Sequence, residues 1–270
     1  MPLGTVKIGK RSVSRLIIGG NPFSGFSHQS TQRDDQMRHY YTSERIKEAL
    51  RRAERAGVNT HVGRADHHVM RCLLEYWDEG GTIQWFAQTC PEVGSIMHGV
   101  NNGIRGGAVA CFLHGGMMDY LLANDQLGEV PGAIEAIRRA GLPAGIAGHD
   151  RRVFQWAEQN LDVDFYMCSY YNPIPRERGG EHVAGTRERF DPEDRAAMVE
   201  LIRRLRKPAI HYKVMAAGRN DPKEALEFVA RHLRPQDAVC VGVFLGDRPD
   251  MTEQNVRLLE EALEAVGTRA

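Results

Sequence analysis

Ala108-Val-Ala-Cys-Phe-Leu-His114, Pro143-Ala-Gly-Ile-Ala-Gly-His-Asp150 and Asp164-Phe-Tyr-Met-Cys-Ser-Tyr-Tyr-Asn-Pro173 are three apolar runs, each ending in polar side chains. Amphipathic stretches, Gly132 to Arg139 and Arg152 to Asn160, lie between them. Short apolar runs alternating with helical periodicity are the pattern of a parallel sheet with crossover helices. In such sheets, binding and catalytic groups collect at the carboxyl ends of the strands. Here those ends carry His114, His149, Asp150 and the pair Tyr170-Tyr171.

The same alternation extends in both directions. Gly4 to Arg15 alternates in period two around Gly9-Lys10, which predicts a hairpin, and Leu16-Ile-Ile-Gly19 reads as the first buried strand. Asn21 to Tyr41 lacks helical periodicity and reads as a long loop, functional or mobile. Ser43 is the expected cap of a helix with Ile46, Ala49, Leu50 and Ala53 on one face and a stop at Gly57. Strands are expected over Val58–Val62 and Ile83–Thr89, with helices over His67–Trp77 and Val93–Ile104. Beyond Pro173, Asp191-Pro and Asp221-Pro start helices, Pro208–Met215 and Ala238–Phe244 are strands, and Thr252–Ala265 closes the chain. Eight strand-like runs in 270 residues match the roughly 250 residues of a (β/α)₈ barrel. The expectation is therefore an α/β protein, a TIM barrel with an N-terminal β-hairpin, in one domain over residues 1–270. An open doubly wound sheet would call for a glycine-rich phosphate turn after the first strand, and Gly19-Gly20-Asn-Pro does not supply one.

Composition narrows the partners. Hydrophobic residues at 42% and charged residues at 26% are ordinary for a folded globule, and 35 basic side chains balance 35 acidic ones. A net charge of zero gives no global field toward nucleic acid or an anionic membrane. A small-molecule substrate is expected, with an oligomer left open. Met1-Pro-Leu-Gly lacks the build of a signal peptide, and no apolar run approaches the length of a spanning helix. Five cysteines without a C-x-x-C pair, four of them in or at the end of apolar runs, read as buried reduced thiols in a cytoplasmic protein.

Several phrases in order resemble the aldo-keto reductase superfamily. Lys7-Ile-Gly-Lys-Arg-Ser-Val-Ser-Arg-Leu16 looks like its amino-terminal hairpin, and Ala56-Gly-Val-Asn-Thr60 like its second strand. Phe112-Leu-His114 resembles the fourth strand with its active-site histidine. Gly145 to Asp150 and Tyr171-Asn-Pro173 are similar to the ends of the fifth and sixth. The resemblance implies the barrel and an NADP-dependent oxidoreductase ancestry. It also places the family's relay aspartate at Val62, its tyrosine near His67 and its lysine near Cys90, so that only the histidine, His114, is kept. The serine that holds the nicotinamide amide becomes Ala147, and the glutamine beneath the ring falls near Cys168. NADP is thus less expected than the family alone would suggest.

The rim of such a barrel collects His28, His61, His67, His114 and His149, five of the eleven histidines in the chain. Histidine is the usual acid–base group near neutral pH and the commonest metal ligand. His61, His114 and His149, with Glu92, form the set that could meet one divalent ion. Lys213, placed by alternation on the face of His211, is a candidate base, Schiff-base nucleophile or anion anchor. Tyr170 is a further catalytic candidate, and Asn172 and Arg219 are candidate cofactor contacts. Arg176-Glu-Arg-Gly-Gly-Glu-His182 reads as a polar flap or a plain solvated loop. Three functions suit these groups. The first is His-based acid–base chemistry of isomerase or lyase type on a small polar carbonyl or sugar-like compound, with or without a metal. The second is an NADP-dependent reductase with His67 in the tyrosine's place. The third is a non-catalytic barrel that binds a metabolite or a partner.

Overall fold

Eight parallel strands close into a barrel in the computed structural model, which describes residues 3–183 and 185–267. The chain first forms the expected hairpin. β1 (Thr5–Ile8) and β2 (Arg11–Ser14) pair antiparallel, with Gly9 at the turn in the left-handed region, φ 54°. The barrel strands follow in sequence order: β3 (Leu16–Gly19), β4 (Thr60–Arg64), β5 (Gln84–Gln88), β6 (Ala110–Leu113), β7 (Ala144–Gly148), β8 (Phe165–Ser169), β9 (Ala209–Tyr212) and β10 (Ala238–Gly242). β10 closes on β3, Val239 pairing with Leu16. The surrounding helices are α1 (Thr31–Tyr40), α2 (Ser43–Arg55), α3 (His67–Asp78), α4 (Ile96–Arg105), α5 (Gly115–Ala123), α6 (Val130–Arg139), α7 (Arg151–Asn160), α8 (Pro192–Ile202), α9 (Pro222–His232) and α10 (Met251–Gly267). The expected fold class, an α/β (β/α)₈ barrel with an N-terminal hairpin, is the observed one.

The strands read as unbroken apolar runs because each is buried on both faces. Inward side chains, among them Ile17, Val62, Phe86, Phe112, Phe165 and Ile210, form one cluster, which Val6, Ile8 and Val13 of the hairpin join. The hairpin thus plugs the amino-terminal end of the barrel. Asn59 ties it there, accepting from the Ser14 amide at 2.8 Å and donating to the Ser12 carbonyl at 3.0 Å. Outward side chains such as Ile18, Trp85, Ile146 and Val241 meet the apolar stripes of the helices in a second cluster.

Some boundaries differ from expectation for clear reasons. The segment read as loop, Asn21 to Tyr41, contains α1, whose only buried residues are Asp34 and Met37. A helix that is polar nearly all round shows no apolar period; Ser30 Oγ, accepting from the Arg33 amide at 3.1 Å, starts it instead. The cap of α2 is Thr42 rather than Ser43. β4 begins at Thr60, two residues after the expected Val58. α4 begins at Ile96, behind a short 3₁₀ turn over Pro91–Val93. α5, nearly apolar throughout, has no counterpart in the sequence pattern and buries Asp119. All five cysteines are buried and unpaired. Among the described residues no helix is long and apolar enough to cross a membrane.

Gly145 on β7 pairs with Phe165 on β8, and a Cβ there would lie 2.5 Å from the Phe165 ring. That ring in turn sits 5.5 Å from Phe86 and 6.0 Å from Phe112, so it has nowhere to move. Gly145→Ala is expected to lower stability by about 1–3 kcal/mol through overpacking. Urea unfolding followed by circular dichroism measures this; an unchanged midpoint would mean that the barrel interior relaxes freely.

Candidate active site

The residue after β7 is His149, which is buried. Its Nδ1 lies 2.6 Å from Oδ2 of Asp119, a buried carboxylate on α5. The same carboxylate accepts from the His149 amide at 3.0 Å and the Asp150 amide at 3.0 Å. These donors fix the ring and assign its proton to Nδ1, leaving Nε2 as the open position. Nε2 stands 3.3 Å from the hydroxyl of Tyr212, at the end of β9. Gly115 makes the approach possible, since a Cβ there would be 2.9 Å from that hydroxyl and 3.2 Å from His149 Cε1. Burial lowers the affinity of His149 for a second proton, against the opposing pull of Asp119. Burial also holds the Tyr212 phenol well above its usual range, so it stays a proton donor.

A second cluster faces the same mouth. Directly after β9 the backbone turns left-handed at Lys213 (φ 56°), then again at Ala216 (47°) and Ala217 (55°). Non-glycine residues hold this conformation only where the surroundings enforce it, and such positions gather at functional sites. The turn breaks strand alternation and carries Lys213 Nζ to 3.1 Å from Nε2 of His28. Asn21 Nδ2 approaches the same nitrogen at 3.2 Å. With two donors on Nε2, the ring proton of His28 sits on Nδ1 and is given to Glu188 Oε1 at 2.7 Å. Burial, then the charge of Lys213, lowers the His28 pKa to about 3. Burial opposes ionisation of Glu188, yet the hydrogen bond from His28 and the nearby positive charges bring it to about 2. Burial brings Lys213 down to about 8, with Glu188 pulling the other way.

Glu188, His182 and Arg176 come from the connection between β8 and α8, and this connection lies against α5. A Cβ on Gly116 would be 2.4 Å from the Gly180 carbonyl and 3.4 Å from Arg176 Cζ. Arg176 donates to the Glu181 carbonyl at 2.5 Å and adds its charge to the surroundings of His114, His149 and Lys213. The segment read as a flap or a solvated loop therefore contributes side chains to the mouth.

Other expected residues lie elsewhere. His61 points out of the barrel, because its neighbour Val62 points in. Its Nδ1 meets the Ile18 carbonyl at 3.1 Å, and it packs beside Phe23 against a cavity of about 10 Å³ lined by Ile46, Leu50 and Leu73. That space holds at most one water. Tyr170 is likewise outside the barrel, bonded to Nδ1 of His211 at 2.9 Å; His211 itself faces Asp237, not the mouth that Lys213 reaches. His67 is exposed on the first turn of α3. Glu92 is also exposed and pairs with Arg64 at 3.0 Å. The set His61, His114, His149 and Glu92 therefore does not converge on one ion. His114 is at the mouth, as the N-cap of α5, its Nδ1 accepting from the Met117 amide at 3.3 Å. Burial keeps it neutral. Asn172 is exposed, and its amide donates to Asp194. Arg219 ties its own turn to the first loop through the Ala216 and His28 carbonyls and stacks on Phe190.

Asp119 escaped the sequence reading, although a signal was present: an acid inside the apolar run Met117-Met-Asp-Tyr-Leu-Leu122 must find a buried partner. Glu188, between Arg187 and Arg189, looks like any solvated charge.

The residues do not fit a nicotinamide in the manner of the resembled family. Ala147 faces inward with no polar group, Cys168 faces the helices, and Arg219 is engaged by its own turn. Fold and mouth together define a (β/α)₈ barrel with two polar clusters at the carboxyl ends of its strands. No family model matches the chain, and no curated protein matches it by sequence. Solved structures do match. A protein of Pseudomonas aeruginosa, described as a candidate aldo-keto reductase, superposes with a TM-score of 0.64 at 18% identity over 97% of this chain and 95% of its own. The holo form of an aldo-keto reductase from Bacillus halodurans gives 0.57 at 12% identity over 99% and 96%. A truncated 3-deoxy-D-arabino-heptulosonate 7-phosphate synthase from Thermotoga maritima gives 0.59 at 11% over 97% and 93%. Likeness at this identity concerns the barrel.

Burial lowers the His61 pKa from 6.5 to about 4. Between those values the unfolded chain binds more protons, so this histidine's contribution is present above pH 6.5 and lost as pH falls. His61→Asn keeps a donor for Ile18 and removes the titration. Its loss of stability from pH 7 to pH 5 is expected to be about 2 kcal/mol smaller than that of the native chain. Denaturant unfolding at the two pH values checks it, and parallel losses in both proteins would contradict the assignment.

Proposed function

We propose that this chain is an enzyme that moves protons on a small polar carbonyl or sugar-like compound, in an isomerase- or lyase-type reaction at the carboxyl end of the barrel. The observation that supports this reading is the chain Asp119–His149–Tyr212, a buried carboxylate orienting an imidazole whose free nitrogen meets a phenol. The Tyr212 hydroxyl takes a proton from the carbon beside the substrate carbonyl as its own proton passes to His149 Nε2. The resulting imidazolium is stabilised by Asp119, and the proton returns by the same route to a neighbouring carbon or to a leaving group. Lys213 and Arg176 supply positive charge for the oxygen that becomes negative. An orienting carboxylate matters here because it selects the tautomer in which Nε2 is free to accept.

Proton abstraction beside a carbonyl is detected without knowing the product. A panel of small hydroxy-carbonyl compounds and sugars in D₂O, followed by proton NMR, is expected to show enzyme-dependent exchange for at least one compound. His149→Gln and Tyr212→Phe are expected to slow it by roughly 10²- to 10⁴-fold with KM little changed. Absence of exchange across the panel, or full activity in His149→Gln, would reject the reading. A ligand-induced thermal shift without exchange would favour a binding barrel.

A further inference from the structure

His28, His182 and Glu188 form a second constellation at the mouth, separate from the Asp119–His149–Tyr212 chain. One ligand atom from each lies within 4.8 Å of the others, the one such group of three or more found among the described residues. Glu188 is 2% exposed at its side chain, His28 12% and His182 13%. The His182 and His28 rings meet edge to face at 4.8 Å, and His182 Nδ1 is 3.9 Å from Glu188 Oε1.

The protein atoms leave part of this cluster unsatisfied. Glu188 Oε2 and His182 Nδ1 are both buried without a hydrogen-bond partner. An ionised carboxylate with a bare oxygen is costly in a buried position, and so is an unpaired imidazole nitrogen. One ion between them would satisfy both. We infer that His28, His182 and Glu188 bind a single divalent cation of the zinc class.

Two imidazoles and one carboxylate suit such an ion, and three protein ligands leave a position open for water or a substrate oxygen. Ligand atoms around a tetrahedral zinc stand about 3.4 Å apart, so separations that now reach up to 4.8 Å close, and the 2.7 Å between His28 Nδ1 and Glu188 Oε1 opens, as the ion enters. Lys213 and Asn21 both face Nε2 of His28, which leaves the Nδ1 side, where Glu188 lies, for the ion. With the metal on Nδ1 the ring proton of His28 moves to Nε2, the Asn21 amide turns its oxygen toward it, and Lys213 releases one proton to solvent so that its amine can accept there; affinity therefore rises with pH. Glu188 supplies one negative charge, and a metal-bound anion or substrate oxygen can balance the remainder beside Lys213. The ion also joins positions 182 and 188 of the β8–α8 connection to position 28, which follows β3.

The alternative is a plain hydrogen-bonded ion network with no metal. Full-length protein freed of metal by chelation is titrated with Co²⁺, read by its visible d–d absorption, and with Zn²⁺ in competition. One equivalent is expected to saturate the site. Glu188→Gln and His182→Ala, both on a connection rather than in the barrel core, are each expected to weaken binding at least ten-fold while circular dichroism stays native. His67→Ala/His68→Ala, at exposed histidines, is the control that leaves affinity unchanged. No stoichiometric binding, or equal affinity in Glu188→Gln and His182→Ala, overturns the inference. The readout involves no turnover, so the metal site and the proton-transfer reading fail independently.

Discussion

One buried carboxylate organises the carboxyl end of this barrel. Asp119 takes hydrogen bonds from the His149 ring, the His149 amide and the Asp150 amide. A charge at that depth is tolerable because it is met by donors held in place by a strand end and a helix start. The same three contacts join α5 to the β7–α7 turn and choose the tautomer of His149. Local stability and the orientation of His149 therefore rest on one group: without it, the ring and two amides would lose their acceptor.

Around that point the architecture divides the labour. The hairpin closes the lower end of the barrel with Val6, Ile8 and Val13, and the aromatic cluster of Phe86, Phe112 and Phe165 fills the interior. Above it, positions just past the strands carry His114, His149 and Lys213, and the β8–α8 connection adds Arg176, His182 and Glu188. The left-handed turn at Lys213 is what lets a residue that alternation would send toward the helices reach the mouth instead.

The barrel was legible because eight apolar runs, separated by caps and turn glycines, admit few other arrangements. The pattern fails where a helix has no apolar stripe, as in α1, and where one is nearly apolar throughout, as in α5. Facing direction was less legible. A strand buried on both sides offers no polar alternation to mark its inner face, so His61 and Tyr170 were expected at the mouth and instead pack outside it. His149 and Lys213 were reachable from the rule that chemistry follows strand ends. Their partners Asp119 and Glu188 lie 30 residues before and 25 residues before them in the chain, and no local spacing links them.

The glycine contact between α5 and the β8–α8 connection has a consequence for how such a site can change over evolution. Gly116 and Gly180 meet backbone to backbone, and Asn124 at the end of α5 adds a single side-chain bond, donating to the Glu177 carbonyl at 3.0 Å. A connection held in that way can lengthen, shorten or exchange residues while the barrel beneath it stays the same. No described residue of the connection belongs to the apolar cluster that fills and plugs the barrel.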